Sequence, residues 1–417
     1  MGKSDPKDKP FQIPKELVWE AYKSVKRNKG AAGVDGQSIE EFEADLKDNL
    51  YKIWNRMSSG SYLPSPVRAV EIPKSHGGGT RVLGIPTVAD RIAQTVVAMW
   101  LEPRTESIFH DDSFGYRPGR SPLDAVAKCR ERCWKKDWVL DLDVQQFFDS
   151  VDHDLMVKAV EANTDQKWVV LYVKRWLKAP IRMPDDRLVE RDRGTPQGSA
   201  VSPVLANLFL HYAFDLWLER EFPAVEFERF ADDAVVHCAT ERQAQQVLVA
   251  LSERLASVGL RLHPDKTAIV YCKDRKRRLA HERTSFTFLG YTFRARKAPT
   301  RDGRSMFAAF LPAMGTDALK DKGHEVRGWK LHLRTTCDLA ALAEWMNPII
   351  RGWMNYFGKF YRTEMFGLLR RINTYLVRWA RRKFKRLRAF KRAKRWWNGL
   401  LKRVPRLFAH WAWMPEF

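Results

Sequence analysis

The pattern of the chain changes once, near residue 295. Up to that point short β-prone segments alternate with helical ones. Apolar spacing predicts helices over 15–60, with a glycine-punctuated loop at 30–38, and over 154–178, and the predicted strands are a hairpin at 67–85, "LRLHP" (260–264) and "FTFLGYTF" (286–293). A loop predicted at 294–305 is followed almost only by helical patterns, which include an apolar stripe at Trp345, Ile349, Trp353 and Phe357. Alternating strands and helices favour one mixed α/β unit, and apolar residues at helical spacing favour packed helices. The sequence therefore predicts an α+β protein in which a mixed α/β part precedes an all-helical part.

The size and charge of the chain limit what it can do. Its 417 residues are too many for one compact core, so two or three domains are expected. The formal net charge is +23, and a polyanionic partner, with nucleic acid as the first candidate, relieves self-repulsion on that scale. No apolar run reaches the roughly 18 residues of a membrane span, the N-terminus lacks the apolar core of a secretory signal, and the five scattered cysteines fit reduced thiols. We therefore expect a cytoplasmic protein without a membrane partner.

Two acidic segments stand out in this basic chain. In "WVLDLDV" (138–144) the side chains of a strand alternate between faces, so Asp141 and Asp143 share the face opposite the apolar residues. In "RFADDAVVH" (229–237), Asp232 and Asp233 lie between two β-prone runs, which predicts a hairpin with the acids at its bend. A cluster of carboxylates in a chain with a large positive net charge favours the binding of a hard cation such as Mg²⁺. The alternatives are a solvated turn for the Asp pair and an edge-strand charge that discourages aggregation for Asp143.

A series of segments, in order along nearly the whole chain, resembles the motifs of the group II intron reverse transcriptase/maturase family. The stretch "LDLDVQQFFDSVDHD" (140–154) resembles the first palm motif, and "RFADDAVVH" resembles the catalytic hairpin. The stretch "GTPQGSAVSPVLANLFLH" (194–211) is similar to the template and nucleotide motif. The other matching segments are GVDG (33–36), IPKSHGGGTRVLGIPTVADR (72–91), FGYRPGRSPLDAV (114–126), LRLHPDKT (260–267), FTFLGYTF (286–293), NPIIRGWMNYFGKFY (347–361) and PRLFAHW (405–411).

This resemblance implies a right-hand polymerase. It implies fingers with an N-terminal extension at 1–137, a palm at 138–295, a helical thumb or maturase domain at 305–375, and a basic, aromatic nucleic-acid-binding region at 376–417. The implied activity is RNA-directed DNA polymerisation, together with binding of intron RNA to assist splicing and retrohoming. The implied partners are intron RNA, an RNA template and a DNA primer or target, in a nucleoid-associated ribonucleoprotein with no protein partner. No endonuclease module follows residue 417, so the resemblance does not imply nicking of target DNA.

The resemblance also assigns the metal site. It implies that Asp143, Asp232 and Asp233 hold two Mg²⁺ ions, with the backbone carbonyl of Val144 as a further ligand. Lys266 matches the lysine that protonates departing pyrophosphate.

Five residues match positions that contact the incoming deoxynucleoside triphosphate. Lys74 and Arg81 flank a glycine-rich turn that is suited to close on a triphosphate, although surface charges are the alternative. Phe148 matches the ring that excludes a 2′-hydroxyl, with a core aromatic as the alternative, and Gln197 matches the residue beside the nascent base pair. Phe230 stands where a tyrosine is more common in the family, and Ser199 stands where a glycine is usual.

Basic residues are expected to contact nucleic acid at two places. Arg117 and Arg120 belong to the fingers segment "FGYRPGRSP". From residue 375 to the end the chain has fourteen Lys or Arg, one acid and five Trp. The repulsion among these positive charges is costly unless phosphates lie against this segment. The expected contacts there are Arg378, Arg381, Arg382, Lys385, Arg386 and Arg388. A solvated helix face is the alternative.

Two other functions remain open at this stage. One is an RNA chaperone or splicing factor whose polymerase site has decayed, against which the intact set of three aspartates argues. The other is a domesticated reverse transcriptase in phage defence, a CRISPR system or a diversity-generating cassette, against which the maturase-like C-terminal motifs argue.

Overall fold

The computed structural model describes residues 9–73, 79–300 and 302–417. The chain divides into two compact units, of which the first comprises residues 1–125 and 140–269 and the second comprises 126–139 and 270–417. Among the described residues, no helix is both long and apolar enough to cross a bilayer.

The first unit opens with helices, as the apolar spacing over residues 15–60 predicts. Their bounds are α1 (Lys15–Asn28), α2 (Ile39–Ala44), α3 (Leu46–Ser58) and, further along, α4 (Val88–Thr105). Helix α2 begins at a capping box, in which the Ser38 hydroxyl accepts from the Glu41 N–H and the Glu41 carboxylate accepts from the Ser38 N–H. Helices α1 and α4 pack against each other.

Two longer strands and two very short ones form the first sheet. Their bounds are β1 (Val67–Pro73), β2 (Thr80–Ile85), β4 (Ile181–Arg182) and β5 (Leu188–Val189), in the order β2-β1-β4-β5. Strands β1 and β2 form the predicted antiparallel hairpin, with Ile72 opposite Arg81. The sequence analysis did not predict the two-residue strands β4 and β5.

A second four-stranded sheet holds the acidic segments. Its strands are β3 (Trp138–Asp143), β6 (Glu226–Phe230), β7 (Asp233–Cys238) and β8 (Ala268–Tyr271), in the order β6-β7-β3-β8. In β3 the predicted alternation is confirmed, since Leu140 and Leu142 are buried whereas Asp141 and Asp143 are half-buried. The strand predicted at "LRLHP" is wrong, because there Leu262 forms only an isolated bridge to Val144.

Helices surround these sheets in the first unit. They are α6 (Phe147–Ser150), α7 (His153–Glu161), α8 (Lys167–Lys178), α9 (Ser202–Leu210), α10 (Leu216–Glu221) and α11 (Glu241–Ser257). The helix predicted over 154–178 is interrupted at 162–166, where the Asn163 side chain donates to the carbonyl of Ala159 and ends α7. Five π-helical residues, His211–Asp215, lie between α9 and α10.

The second unit has a three-stranded antiparallel sheet that the sequence analysis missed in part. Its strands are β9 (Ser285–Phe288), β10 (Tyr291–Pro299) and β11 (Met306–Met314), with β10 in the middle. The single strand predicted over 286–293 is wrong, because Leu289 and Gly290 both take left-handed conformations and form a two-residue hairpin turn. The loop predicted over 294–305 is also too long, since β10 runs to Pro299.

Helices make up most of the rest of the second unit. Helix α5 (Pro122–Lys135) ends in this unit, and α12 (Thr316–Gly328), α13 (Leu339–Tyr361), α14 (Phe366–Lys383) and α15 (Phe390–Arg403) follow the sheet. On α13 the predicted apolar stripe is buried at Trp353 and Phe357, whereas Trp345 is partly exposed. Trp353 stacks on Trp329, with 5.5 Å between the ring centroids.

Two buried asparagines fix the C-terminal segment 404–417. On α13, Asn347 donates to the carbonyl of Leu407 and accepts from the N–H of Ala409. On α14, Asn373 donates to the carbonyls of Met414 and Glu416 and accepts from the side chains of His410 and Trp411. Buried amides with every partner in place hold a segment in one register.

Candidate active site

Asp143 is the last residue of β3 and is held by the segment that follows α11. The His263 N–H donates to the Asp143 carbonyl at 2.8 Å, and the Gln145 N–H donates to the Arg261 carbonyl at 2.8 Å. The Lys266 ammonium lies 3.0 Å from a carboxylate oxygen of Asp143. Lys266 and Asp143, which are far apart in sequence, are therefore brought together in the structure.

Asp232 and Asp233 lie at the bend of the β6–β7 hairpin, as the sequence predicts. Phe230 pairs with Asp233, so only Ala231 and Asp232 form the turn. Ala231 has a φ of 57°, a left-handed conformation that costs a non-glycine residue about 1–2 kcal/mol. The backbone of Gly115 lies against this turn, and a Cβ at Gly115 would be 2.3 Å from the Ala231 nitrogen.

The buried side chain of Arg229 contacts this turn, and sequence analysis did not identify it. Its side chain is 1% exposed and makes a two-pronged ion pair with the fully buried Asp215, with N–O distances of 2.7 and 2.6 Å. The same guanidinium donates to the Ala231 carbonyl at 2.9 Å, to Asn207 at 3.1 Å and to Ser113 at 2.8 Å. A planar guanidinium with fixed donors therefore fixes the strained turn that carries both aspartates.

The three carboxylates influence one another. Burial, followed by the charge of Asp143, raises the pKa of Asp232 above its usual range. Solvent reaches Asp233, yet the protein atoms crowded around it, followed by the charges of Asp232 and Asp143, raise its pKa to about 7. The Lys266 ammonium opposes both shifts. The charge of Asp143 therefore contributes to the raised pKa of both hairpin acids.

This donor set fits a hard divalent cation. It consists of carboxylate oxygens, which Mg²⁺ prefers, and their mutual repulsion is relieved by a positive ion between them. The two backbone hydrogen bonds on either side of the Val144–Leu262 bridge mark a non-hydrogen-bonded antiparallel pair. The Val144 carbonyl therefore faces away from the 261–263 segment.

A small cavity in the first unit brings together two of the predicted nucleotide-binding residues. Phe148 and Gln197 both line this space of about 190 Å³. The Gly84 N–H donates to the Gln197 carbonyl at 2.8 Å, and Gly198, with a φ of 108°, lies against Gly84 so closely that a Cβ would be 2.7 Å from its carbonyl. A glycine at 198 is therefore required for this contact. Ser199 is buried at the end of the same loop.

The two phenylalanines of the "FF" pair lie in different environments, one in the core and one at the cavity. Phe147 is 2% exposed and contacts Phe209, whereas Phe148 is half-buried and lines the cavity. The core alternative therefore describes Phe147 and not Phe148. The same cavity is lined by Arg191 and Arg193, which sequence analysis did not single out and which no motif marked.

Of the other predicted nucleotide-binding residues, Arg81 and Phe230 are not among those lining this cavity. Arg81 is exposed on β2, one residue before Val82, which does line the cavity. Phe230 is half-buried in the hairpin, with its ring centroid 6.4 Å from that of Tyr116. Lys74 lies outside the described residues.

Of the two arginines of the fingers segment, Arg117 requires a correction. Its side chain is 3% exposed, and its guanidinium is bound to the Glu106 carboxylate and to the carbonyls of His110 and Ser113. A buried guanidinium engaged in this way cannot reach a phosphate, so Arg117 has a structural role. Arg120 is part-exposed and pairs with Asp111 at 3.0 Å.

Most of the predicted cations near the C-terminus are exposed and available to bind a polyanion. Arg381 is half-buried and ties α14 to the segment that follows it, donating to the carbonyl of Arg388 at 2.7 and 2.9 Å. The other predicted contacts, all exposed, are Arg378, Arg382, Lys385, Arg386 and Arg388. None of the six makes an ion pair with an acidic side chain among the described residues.

Comparison with known proteins identifies the class. Residues 72–293 match the reverse transcriptase (RNA-dependent DNA polymerase) family, and these residues include all three aspartates and the cavity lined by Phe148 and Gln197. The chain belongs to this family. Residues 319–397 match the maturase-specific domain of group II introns, so the chain combines an RNA-directed DNA polymerase domain with a maturase domain, as its motifs predict.

Individual relatives agree with this combination. The chain is 32% identical over 319 residues to Protein YkfC of Escherichia coli strain K12, covering 66% of this chain and 80% of that protein. It is 30% identical over 227 residues to the group II intron-encoded protein LtrA of Lactococcus lactis subsp. cremoris, covering 54% of this chain and 37% of LtrA. It is 29% identical over 106 residues to nuclear intron maturase 1, mitochondrial, of Arabidopsis thaliana, covering 25% of this chain.

Proposed function

We propose that this polymerase extends the 3′-hydroxyl of a DNA primer on an RNA template, with Asp143, Asp232 and Asp233 holding two Mg²⁺ ions. The observation that supports this most strongly is that Asp143 ends β3 and Asp233 begins β7, two strands that are neighbours in one sheet. When bound, Mg²⁺ would activate the primer hydroxyl and neutralise the charge on the leaving pyrophosphate. The Val144 carbonyl serves as a further ligand.

The surrounding residues select and orient the deoxynucleotide. Phe148 and Gln197 share one cavity, so the ring lies against the sugar and excludes a 2′-hydroxyl while Gln197 lies beside the nascent base pair. Arg81 and Lys74 bind the triphosphate, for which an arginine fork is well suited. Phe230 lies in the turn that carries the aspartates and contacts the nucleotide without a hydroxyl of its own.

Lys266 serves two purposes in this mechanism. In the free protein its ammonium offsets the charge of Asp143 at 3.0 Å. With Asp143 engaged as a metal ligand, the Lys266 ammonium would be free to donate its proton to pyrophosphate.

We infer fingers at 1–137, a palm at 138–295, a thumb or maturase domain at 305–375 and a basic region at 376–417. Strand β11 completes a sheet with β9 and β10, so the helices of the thumb begin at Thr316. The last boundary falls within α14, whose basic end belongs to the nucleic-acid-binding region.

The maturase part binds intron RNA and assists its splicing and retrohoming in a nucleoid-associated ribonucleoprotein. The exposed cations near the C-terminus, together with Arg120 in the fingers, supply phosphate contacts.

Primer extension tests the polymerase site. With a DNA primer on an RNA template and Mg²⁺, Asp232→Asn and Asp233→Asn should each lower the extension rate by at least about a thousandfold, whereas RNA binding is retained. Asp48→Asn, the same change at an exposed residue of α3, is the control and should extend normally. Full activity in either hairpin variant contradicts the metal assignment. Absence of extension in the unmodified protein, with RNA binding intact, favours a splicing factor without polymerase activity.

A further inference from the structure

The second unit contains an open groove that the polymerase site does not use. Its volume is about 1090 Å³, slightly above the range of about 300–1,000 Å³ that is usual for small-molecule sites. Its lining residues lie in three places: the end of α5, the loop after β8, and strand β11 with the turn that precedes it. The residues are Trp134, Asp274, Arg275, Lys276, Arg278, Thr300, Phe307, Ala308 and Ala309.

Trp134 offers a fixed aromatic surface to this groove. Its indole N–H donates to the Phe310 carbonyl at 3.0 Å, which fixes the orientation of the ring. The Arg130 guanidinium lies 4.4 Å from the ring centroid. Half of the side chain is nevertheless exposed, at 50%. A large ring that is held in place and left half open is a surface on which a base can stack.

The basic loop beside Trp134 is ordered by its own contacts. The Asp274 carboxylate accepts from the backbone N–H groups of Lys276 and Arg277 at 2.8 and 2.9 Å, and it also accepts from the Arg277 guanidinium. That guanidinium donates in addition to the carbonyls of Cys133 and Lys136 at 2.8 Å each. The loop is therefore tied to the end of α5, next to Trp134.

Some charged residues of this loop hold the loop together, whereas others are available to bind a ligand. Arg277 and Asp274 neutralise each other within the loop, so the one acid lining the groove is already paired. Arg275, Lys276 and Arg278 are exposed, and none of them makes an ion pair with a described residue. Three unpaired cations on a rigid loop form a local anion-binding site. Binding an anion there has a low entropic cost because the loop is already ordered.

We propose that this groove binds a single-stranded polynucleotide, with one base stacked on Trp134 and the backbone phosphates on Arg275, Lys276 and Arg278. A neutral small molecule or an apolar peptide leaves the three cations unpaired, and an acidic peptide makes no use of the ring. Stacking tolerates any base, so the site is expected to have little sequence preference. It is additional to the proposed polymerase site, because all its residues belong to the second unit and all three aspartates belong to the first.

The first test is photocrosslinking of the full chain to short single-stranded oligonucleotides that carry 5-iodouracil. Crosslinked peptides identified by mass spectrometry should include Trp134 or Phe307. RNA and DNA oligonucleotides of the same sequence are compared, and the relative yield tells which of the two the groove prefers. Absence of a crosslink within the groove from both overturns the proposal.

The second test uses variants that separate stacking from packing. Trp134→Phe keeps a ring and should bind within about twofold of the original, whereas Trp134→Leu keeps apolar volume without a ring and should bind at least about fivefold more weakly. Both lose the hydrogen bond to Phe310, so their thermal midpoints should be alike. Equal affinities of the two variants contradict a stacking role.

The third test measures the phosphate contacts. Changing Arg275, Lys276 and Arg278 to Gln should lower the slope of log affinity against log salt by about 2, since each phosphate contact on a single strand contributes about 0.7. The control changes Arg27, Lys47 and Lys52, three exposed cations of α1 and α3, to Gln and removes the same charge. If the two triple variants have the same slope, net charge alone explains the binding and the groove has no role.

Discussion

Arg229 links two motifs that appear independent in the sequence. It binds Asp215 in the π-helical turn and the carbonyl of Ala231 in the β6–β7 hairpin. The ion pair is almost completely removed from solvent, at 1% and 0% exposure. Breaking a pair of this kind leaves an uncompensated buried charge, whereas replacing both partners by apolar groups is much less costly.

We therefore predict that Arg229→Met destabilises the first unit by about 3–5 kcal/mol, because Asp215 is left buried and unpaired. The double variant Arg229→Met with Asp215→Leu should recover most of that loss, as measured by urea unfolding. Its primer extension should stay low even where the protein is folded, because the turn at Ala231 has lost its donor. Full activity in the double variant rules out a positioning role for Arg229.

The two adjacent phenylalanines allow a direct comparison of a cavity residue with a core residue. Phe148→Val opens the space beside the sugar, so incorporation of ribonucleotides should rise at least about tenfold relative to deoxynucleotides, with folding unchanged. Phe147→Val, the same change at the buried neighbour, should lower the thermal midpoint without changing sugar selection. Steady-state kinetics with both kinds of nucleotide check the first result. Unchanged selectivity in Phe148→Val places the ring away from the sugar.

At the scale of residues, the sequence identifies chemistry better than burial. Asp143, Asp232 and Asp233 follow from their motifs, because adjacent carboxylates in a basic chain need a special explanation. Arg229 could not be found in this way, since its partners lie 14, 22 and 116 positions away. The prediction that Arg117 contacts nucleic acid is wrong because it rests on the basic segment around this residue. The sequence of that segment gives no sign that the Arg117 guanidinium is buried.

At the scale of elements, the C-terminal segment depends on close contacts with α13 and α14. A Cβ at Gly358 on α13 would lie 2.2 Å from the ring of Trp413. Gly352 lies on the same helix, and a Cβ there meets nothing within 4 Å. The two glycines differ in their surroundings and share their secondary structure.

Gly358→Ala should therefore destabilise the second unit by about 1–3 kcal/mol, as expected for overpacking. Gly352→Ala should be neutral or stabilise it by up to about 1 kcal/mol through helix propensity. Thermal unfolding of the two variants under identical conditions checks this contrast. Equal midpoints contradict the packing of Trp413 against α13.

His410 makes the stability of this segment depend on pH. Burial lowers the pKa of His410 to about 3, and its Nε2–H donates to the Asn373 carbonyl oxygen at 2.6 Å. Its Nδ1 has no hydrogen-bond partner among the described residues, which is consistent with a neutral ring. The unfolded state binds a proton near pH 6.5 and the folded state does not, so stability is full above pH 6.5 and falls by about 1.4 kcal/mol per unit as the pH drops toward 3.

We predict that His410→Asn, which cannot take up that proton, flattens the pH dependence of unfolding between pH 6.5 and 4. The two proteins are compared by thermal unfolding at matched ionic strength. The variant is less stable at pH 7, since it loses part of the contact with Asn373, but its slope with pH should be smaller. Parallel slopes contradict a neutral buried His410.

Element boundaries were harder to predict than element types. The β6–β7 hairpin, the β1–β2 hairpin and the first three helices follow from periodicity and turn residues. The β9–β10 turn was missed because Leu289 takes a left-handed conformation that favours glycine or asparagine. The break at 162–166 was missed because a side-chain hydrogen bond from Asn163 ends α7 while the apolar spacing continues.

At the scale of the whole molecule, the charge of +23 remains the property that sequence alone identifies most directly. Changing Arg378, Arg382 and Lys385 to Gln should reduce the slope of log affinity against log salt for single-stranded RNA by about 2. Arg381→Gln is a contrasting variant, because its guanidinium is bound to the carbonyl of Arg388, and it should lower stability more than it changes the slope. Filter binding at several salt concentrations measures the slope, and thermal unfolding measures the stability. An unchanged slope in the triple variant indicates a solvated helix face.

The central claim is that Asp143 and the hairpin acids share one pair of divalent cations. Anomalous scattering from a crystal soaked in Mn²⁺, which takes the oxygen ligands of Mg²⁺, locates such ions directly. We predict a peak within about 2.0–2.3 Å of carboxylate oxygens from both Asp143 and the 232–233 turn. Manganese bound elsewhere, or bound to the turn with the Asp143 carboxylate out of reach, would contradict the account.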